Sequence, residues 1–523
     1  MVREEIISAF TNEAFADFSR PENRSAMEAA LQQAKAALGK EYPLIIGSEK
    51  IMTEDKIVSI NPGNVDQVVG RVSMANREMA ETAMQAGLTT FEEWKRVSPR
   101  QRAEYLFQAA ALMRKRKHEF SAVMVLESGK NWAEADADTC EAIDFMEFYA
   151  REMIRLSQID QERPLVQIAG EINRQEYIPL GVGIVIPPWN FPLAITVGMT
   201  TAAIVSGNTV LLKPSSLTPV IAYKFVALME EVGLPPGVIH FIPGSSAEVG
   251  DYLTAHPKTR FISFTGSKEV GLHINRLAAE TAKGQIWIKR VIAEMGGKDG
   301  IVVDETADIS EAASAIVASA FGFQGQKCSA GSRAFVVEAV YDQVVKAVVE
   351  QTEKLLIGLP EENFAVGPVS DKKAYERILS YIEIGKQEGK LLAGGGKAPG
   401  NGYYIQPTVF ADVSGQARIM QEEIFGPVLA IGKAKDYQEA IALFNHTEYG
   451  LTGSFFSQDE ERIAYAEAKM HCGNLYINRK CTGALVGVHP FGGFNMSGTD
   501  SKAGGSDYLN LFTQPKIIAR RTK

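Results

Sequence analysis

A chain of 523 residues is too long for one hydrophobic core, because single cores stop growing near ~250 to 300 residues, so two large lobes are expected. Its 46% hydrophobic content suits globular folding throughout, and a net charge of -9 without a polybasic run excludes the concentrated positive potential that nucleic-acid binding needs. No apolar run reaches the ~18 to 20 residues of a bilayer span, and the start Met1-Val2-Arg3-Glu4 lacks the basic-then-apolar order of a secretory signal, so a cytoplasmic protein without membrane contact is expected.

In chain order, the first 35 residues read as a helical arm on the strength of N-R-S-A-M-E-A-A-L-Q-Q-A-K-A-A-L. Short strands follow at 43–51, then a turn at Asn61-Pro62-Gly63, and helical periodicity fills 78–155. Residues 165–178, L-V-Q-I-A-G-E-I-N-R-Q-E-Y-I, alternate apolar and polar side chains about Ala169-Gly170 and predict a hairpin outside either sheet. A lone hairpin is marginal in water and needs a partner surface. Five short apolar strands come next, at 182–186, 209–212, 238–242, 260–264 and 291–293, with amphipathic helices such as 221–232 between most of them. Units of this length imply right-handed crossovers and a parallel sheet whose ligands gather at the carboxyl ends of the strands. A second α/β series at 301–303, 334–337, 428–431, 454–457 and 475–478 supplies the other lobe, and the tail N-L-F-T-Q-P-K-I-I-A-R is strand-like.

The loops carry the chemistry. Four cysteines, Cys140, Cys328, Cys472 and Cys481, show no C-x-x-C spacing and fit neither a disulfide framework nor a structural zinc site, so no metal is expected. Cys328 stands in F-Q-G-Q-K-C-S-A-G-S-R, where glycines and polar neighbours favour an exposed thiol over a buried apolar one. Glu294 closes a strand and enters a Gly-Gly turn at the sheet's carboxyl edge, which places it either in solvent or as a general base. Asn190 sits in a rigid proline frame, P-P-W-N-F-P, suited to a turn or to a fixed amide donor. Gly266 and Ser267 of T-G-S-K-E-V-G open a helix, which is either a capped turn or a phosphate site built on the helix dipole. Lys213 leaves a strand end in K-P-S-S, either solvated or turned to a ribose or phosphate.

Taken together, P-W-N-F-P, L-K-P-S, F-T-G-S-K-E-V-G, E-M-G-G-K, G-Q-K-C, E-E-I-F-G-P-V and P-F-G-G stand in the order found in the aldehyde dehydrogenase superfamily and span nearly the whole chain, which resembles that superfamily. The resemblance implies an α/β protein of the aldehyde dehydrogenase fold, with a Rossmann-like cofactor domain, an α/β catalytic domain and a β-hairpin oligomerisation flap. The implied boundaries are 1–164 for the arm and the first part of the cofactor domain, 165–180 for the hairpin, 181–295 for the cofactor domain, 296–490 for the catalytic domain and 491–523 for a C-terminal oligomerisation segment. A homo-oligomer, dimer or hexamer, is implied as well. So is a mechanism: the Cys328 thiolate attacks an aldehyde, the Asn190 amide and the Cys328 backbone N–H stabilise the oxyanion, and Glu294 activates the water that hydrolyses the thioester. NAD would lie against Pro188, Trp189, Lys213 and Ser216, with Gly266 and Ser267 at its pyrophosphate, Glu423 on the nicotinamide ribose and Phe425 beside the ring.

The segment N-R-K-C-T-G-A-L-V-G-V-H-P-F-G-G-F-N-M-S-G-T is similar to the corresponding loop of the 1-pyrroline-5-carboxylate dehydrogenase branch. That similarity implies L-glutamate γ-semialdehyde as small-molecule substrate, its carboxylate held by the Gly483 and Ala484 amides and the Ser329 hydroxyl. Phe191 and Phe491 would flank its aliphatic chain and Glu141 would approach its amino group. A branch acting on succinate semialdehyde is the competing reading, and a binding protein without turnover or a cofactor-free thiol esterase are the readings from other classes. Members that prefer NAD often carry Glu where this chain has Ser216, and a hydroxyl does not repel a 2′-phosphate, so use of NADP beside NAD is expected.

Overall fold

The computed structural model describes residues 8–522. Two seven-stranded sheets dominate it. In the first, the strands run in the order Arg290–Glu294, Phe261–Thr265, Val182–Ile186, Thr209–Leu212 and Ile239–Phe241, all parallel. Their sequences are apolar on both faces, V-G-I-V-I and T-V-L-L for example, because helices cover both sides. The helices Ala194–Val205, Pro219–Glu231 and Lys268–Ala279 make the crossovers. The antiparallel strands Leu44–Ile46 and Glu49–Ile51 extend this sheet at its far edge, so it is wider than its five parallel strands.

The chain starts the parallel part of this sheet at Val182–Ile186, builds outward on one side through Thr209–Leu212 and Ile239–Phe241, then returns to lay Phe261–Thr265 on the other side. The crevice between Val182–Ile186 and Phe261–Thr265 is therefore the switch point at which open parallel sheets bind ligands. The second sheet runs Lys390–Ala393, Thr408–Ala411, Val428–Ala434, Gly331–Val337, Asp299–Val303, Thr452–Phe456 and Asn474–Ile477, with only Lys390–Ala393 antiparallel among its described strands. Packed beside the first sheet are the helices Arg77–Trp94, Pro99–Lys115, Lys117–Ser128 and Trp132–Leu156, which fill the stretch expected to be helical.

Two expectations change. The 165–178 segment does not fold on itself: residues 164–168 form no strand, and Glu171–Pro179 pairs instead with the C-terminal strand Thr513–Arg521 over nine residues, antiparallel. The turn at Ala169-Gly170 survives because the Gln167 side chain donates to the Asn173 carbonyl at 2.7 Å and accepts from its amide at 2.8 Å, in place of the missing strand. The flap is thus a ribbon of two distant segments. The amino-terminal arm is helical only over Pro21–Ala36, residues 8–19 contain no helix, and the first seven residues of the expected helix lie outside the described part.

Candidate active site

Glu294 is the last residue of an edge strand, and the segment 497–499 clasps that strand from its open side. The Met295 amide donates to the Ser497 carbonyl at 2.8 Å, and the Thr499 amide to the Ala293 carbonyl at 2.9 Å. The Glu294 carboxyl is thereby aimed at Cys328, whose Sγ lies 3.7 Å from Oε1. Burial raises this carboxyl to about 7, which sets its proton exchange near neutral pH.

Cys328 follows the helix Ile309–Phe321 through a tight link in which Phe323, Gln324 and Gly325 all have left-handed backbone, φ 48°, 56° and 67°. Two consecutive side chains in that region are strained and need fixing from outside. The Gln324 amide donates to the Pro368 carbonyl at 2.9 Å, and the side-chain carbonyl of Gln326 accepts from the Ser370 amide at 2.9 Å. At Gly325 a Cβ would stand 2.3 Å from the Gly426 carbonyl, so only glycine closes the link. The Cys328 sulfur is half-buried at the cavity wall; burial first, and then the Glu294 carboxylate, push its thiol well above the ordinary range.

A cavity of about 490 Å³ opens on this pair, a size suited to a small ligand. Phe191, Phe491, Ser329, Gly483, Ala484 and Glu141 all line it, so every expected substrate residue reaches one space. The Asn190 amide is buried and donates to the Gln326 carbonyl at 3.0 Å, which fixes the side chain beside the Cys328 loop. Ser329 is 7% exposed and its hydroxyl makes no hydrogen bond among the described residues. The Gly483 and Ala484 amides likewise have no acceptor among the described residues, while Arg479 Nη2 takes up the Thr482 and Gly483 carbonyls at 3.0 and 3.2 Å. Glu141 is raised to about 8 by burial and by Asp138, so it is mostly protonated at neutral pH until a cation arrives.

Three cations at the cavity were not singled out by sequence: Lys327, Arg479 and Lys480. Lys327 pairs with Glu134 at 2.7 Å and directly precedes Cys328, and Arg479 and Lys480 directly precede the Cys481-Thr482-Gly483 turn, so adjacency was the available signal. The Glu134 carboxylate that pairs with Lys327 belongs to the acidic helix Trp132–Leu156 itself, whereas Arg479 has no carboxylate partner among the described residues and holds the Gly483 loop, so the cavity carries a cation at that loop and acidic groups on the helix.

The residues expected to meet a cofactor collect at the carboxyl ends of the first sheet and in the loops beside it. Lys213 follows Thr209–Leu212, is 8% exposed, and makes no hydrogen bond or ion pair among the described residues, so a buried ammonium waits for an acceptor. Ser216 lies exposed in the following turn. Pro188 and Trp189 lie in the loop after Val182–Ile186, and the Trp189 ring meets Phe425 edge-on at 5.5 Å. Glu423 reaches over Gly296, where a Cβ would be 2.2 Å from its carboxylate, and accepts the Gly297 amide on Oε1 at 3.0 Å, leaving Oε2 for a hydroxyl. These groups fit a dinucleotide. The Gly266 amide donates to the Glu294 carbonyl at 3.1 Å, because the neighbouring strand ends at the same level, so this amide is not free for a phosphate as a helix-opening site would have it. Ser267 caps Lys268–Ala279 by accepting the Val270 amide.

Residues 50–518 match the model of the aldehyde dehydrogenase family. The chain is 59% identical over 515 residues to the 1-pyrroline-5-carboxylate dehydrogenases of Anoxybacillus flavithermus and of Geobacillus kaustophilus, which covers 98% of this chain and 99% of each of those proteins. Its backbone matches a crystal structure of 1-pyrroline-5-carboxylate dehydrogenase from Thermus with bound NAD at a TM-score of 0.97 and 48% identity, over 99% of this chain and 100% of that one.

Proposed function

This chain belongs to the aldehyde dehydrogenase family, and from that premise we propose that it oxidises L-glutamate γ-semialdehyde, the open form of 1-pyrroline-5-carboxylate, to L-glutamate in proline and arginine catabolism. The observation that carries the substrate is the polarised cavity. Arg479 and the free amides at Gly483 and Ala484 suit a carboxylate, and Glu141 on the acidic helix suits an ammonium. An amino-acid head group presents both charges. Succinate semialdehyde presents only the first and would leave Glu141 without a partner.

Cys328 is the nucleophile, Asn190 and the Cys328 amide hold the developing oxyanion, and Glu294 takes protons, first from the thiol in contact with it and later from the hydrolytic water. Asn190 has two N–H groups; the Gln326 carbonyl orients one and leaves the other for the oxyanion. NAD, when bound, supplies the hydride acceptor that makes the reaction an oxidation. Lys213, Ser216, Pro188, Trp189, Ser267, Glu423 and Phe425 would hold it, with Gly266 shaping the loop. The cofactor domain is taken as 181–295 and the catalytic domain as 296–490, in line with the two sheets, whose strands end at Glu294 and begin again at Asp299. The ribbon of Glu171–Pro179 and Thr513–Arg521 exposes Ile172 and Ile517 at 53% and 58%, which supports a homo-oligomer, dimer or hexamer, assembled through it. The enzyme is assigned to the cytoplasm. No helix among the described residues is long and apolar enough to cross a membrane.

Steady-state kinetics test the substrate. kcat/KM for the γ-semialdehyde is expected to exceed that for an uncharged aldehyde of equal length and for succinate semialdehyde, and equal values would remove the assignment. In Ser329→Ala, transition-state stabilisation toward the γ-semialdehyde is expected to fall by ~1 to 3 kcal/mol, because a charged acceptor loses a donor. Initial rates with NADP are expected to be measurable beside those with NAD, since Ser216 puts no carboxylate against a 2′-phosphate. Complete inactivity with NADP would contradict that account of Ser216.

A further inference from the structure

Residues 8–19 lie outside the stretch that matches the family model and contain no helix or strand, yet they run along the acidic helix Trp132–Leu156 in the opposite direction, anchored at nearly every turn. Arg151 donates to the Ser8 carbonyl at 3.0 Å, Phe10 meets Phe148 edge-on at 5.2 Å, the Glu13 amide donates to Asp144 at 2.6 Å, the Ala16 amide donates to Asp136 at 2.7 Å, and Phe18 meets Trp132 at 5.4 Å. Two features of this strap face the substrate. Phe15 and Ala16 line the cavity, and Phe15 is 59% exposed at its rim. Asn12 uses both N–H groups of one amide: one donates to Asp144 at 2.8 Å, the other to the Val486 carbonyl at 2.9 Å.

Val486 belongs to the loop whose Gly483 and Ala484 amides face the cavity. That loop has few backbone bonds of its own; Val488 and His489 bond back only to Leu485, and Gly487 bonds to Gly504. Its place relative to Cys328 therefore depends on what ties it down from outside, and the Asn12 bridge ties it to the helix that carries Glu141. We infer that the strap 8–19 is a specificity element, with Asn12 positioning the carboxylate-binding loop and Phe15 closing the far end of the cavity against longer aldehydes. This rests on the substrate reading above.

The experiment compares the full-length protein with Asn12→Ala and Phe15→Ala, using the γ-semialdehyde, an uncharged five-carbon aldehyde and an uncharged seven-carbon aldehyde. Loss of a hydrogen bond of this kind corresponds to about a five- to tenfold effect. Asn12→Ala is expected to raise KM for the γ-semialdehyde by that factor, with kcat within about twofold and kcat/KM for the five-carbon aldehyde unchanged. Phe15→Ala, at an exposed site that folding tolerates, is expected to raise kcat/KM for the seven-carbon aldehyde relative to the five-carbon one by several-fold. Uniform loss on all three substrates, or no change in either variant while the wild type still prefers the γ-semialdehyde, would overturn the inference. A wild type without that preference would refute the substrate reading itself, and the role of Asn12 with it.

Discussion

Cys328→Ala is expected to lower the aldehyde-dependent appearance of NADH by on the order of 10⁴-fold or more, as removal of a nucleophile does in enzymes that work through a covalent intermediate. The other three cysteines cannot substitute. Cys140, Cys472 and Cys481 are 0%, 7% and 0% exposed, so none has an open path to an aldehyde. Cys328 alone among them lines the cavity. Three measurements separate lost chemistry from lost structure. The variant should melt with the wild type, and it should quench tryptophan fluorescence on NAD addition with the same midpoint, because Trp189 and Phe425 do not depend on the sulfur. Stoichiometric alkylation of the native wild type should modify Cys328 and remove activity in proportion. A Cys328→Ala protein that retained a tenth of the wild-type rate would rule out the covalent route.

How much of this site is legible in the sequence depends on the range of the interaction. Strands 182–186 and 209–212 are found where apolar runs between turn residues put them, because a parallel strand buried on both faces carries its signal in its own residues. Strand 261–265 is displaced by a single residue from its sequence position, within the ambiguity that any apolar run leaves. Cys328, Glu294 and Asn190 are legible through the glycines and prolines of the loops that hold them, because those signals are local. Partners are not. Alternation about Ala169-Gly170 says that 171–179 is a strand but not that its mate is 513–521, and the nearer arm is equally suitable by pattern. The extended strap at 8–19 is held by Asp136 and Asp144, more than a hundred residues away, and nothing in its own composition announces that. The same holds for Lys327 and Glu134, which define the charge of the cavity as a pair and are unremarkable apart.

Glu294→Gln is expected to lower kcat by ~10² to 10⁴-fold, the span that a positioned general base contributes, and to erase the acid limb of the pH profile. In the wild type, burial keeps the carboxyl protonated below about pH 7, and a protonated group cannot take the proton of the water or of the thiol. The rate should therefore rise with pH through a midpoint near 7 and level above it. Once the ligand expels water from the cavity the midpoint should move up, because further desolvation favours the neutral acid. Glutamine keeps the shape and the 3.7 Å approach to Cys328 but has no proton-accepting charge, so loss of activity with an unchanged melting temperature assigns the effect to the carboxylate. Lys502 lowers this pKa by its charge. In Lys502→Met the midpoint should accordingly shift upward, whereas a group titrating elsewhere would leave it in place. A Glu294→Gln enzyme whose kcat still climbed through pH 7 would show that the profile belongs to another residue, and the base would have to be sought among the acidic side chains of Trp132–Leu156.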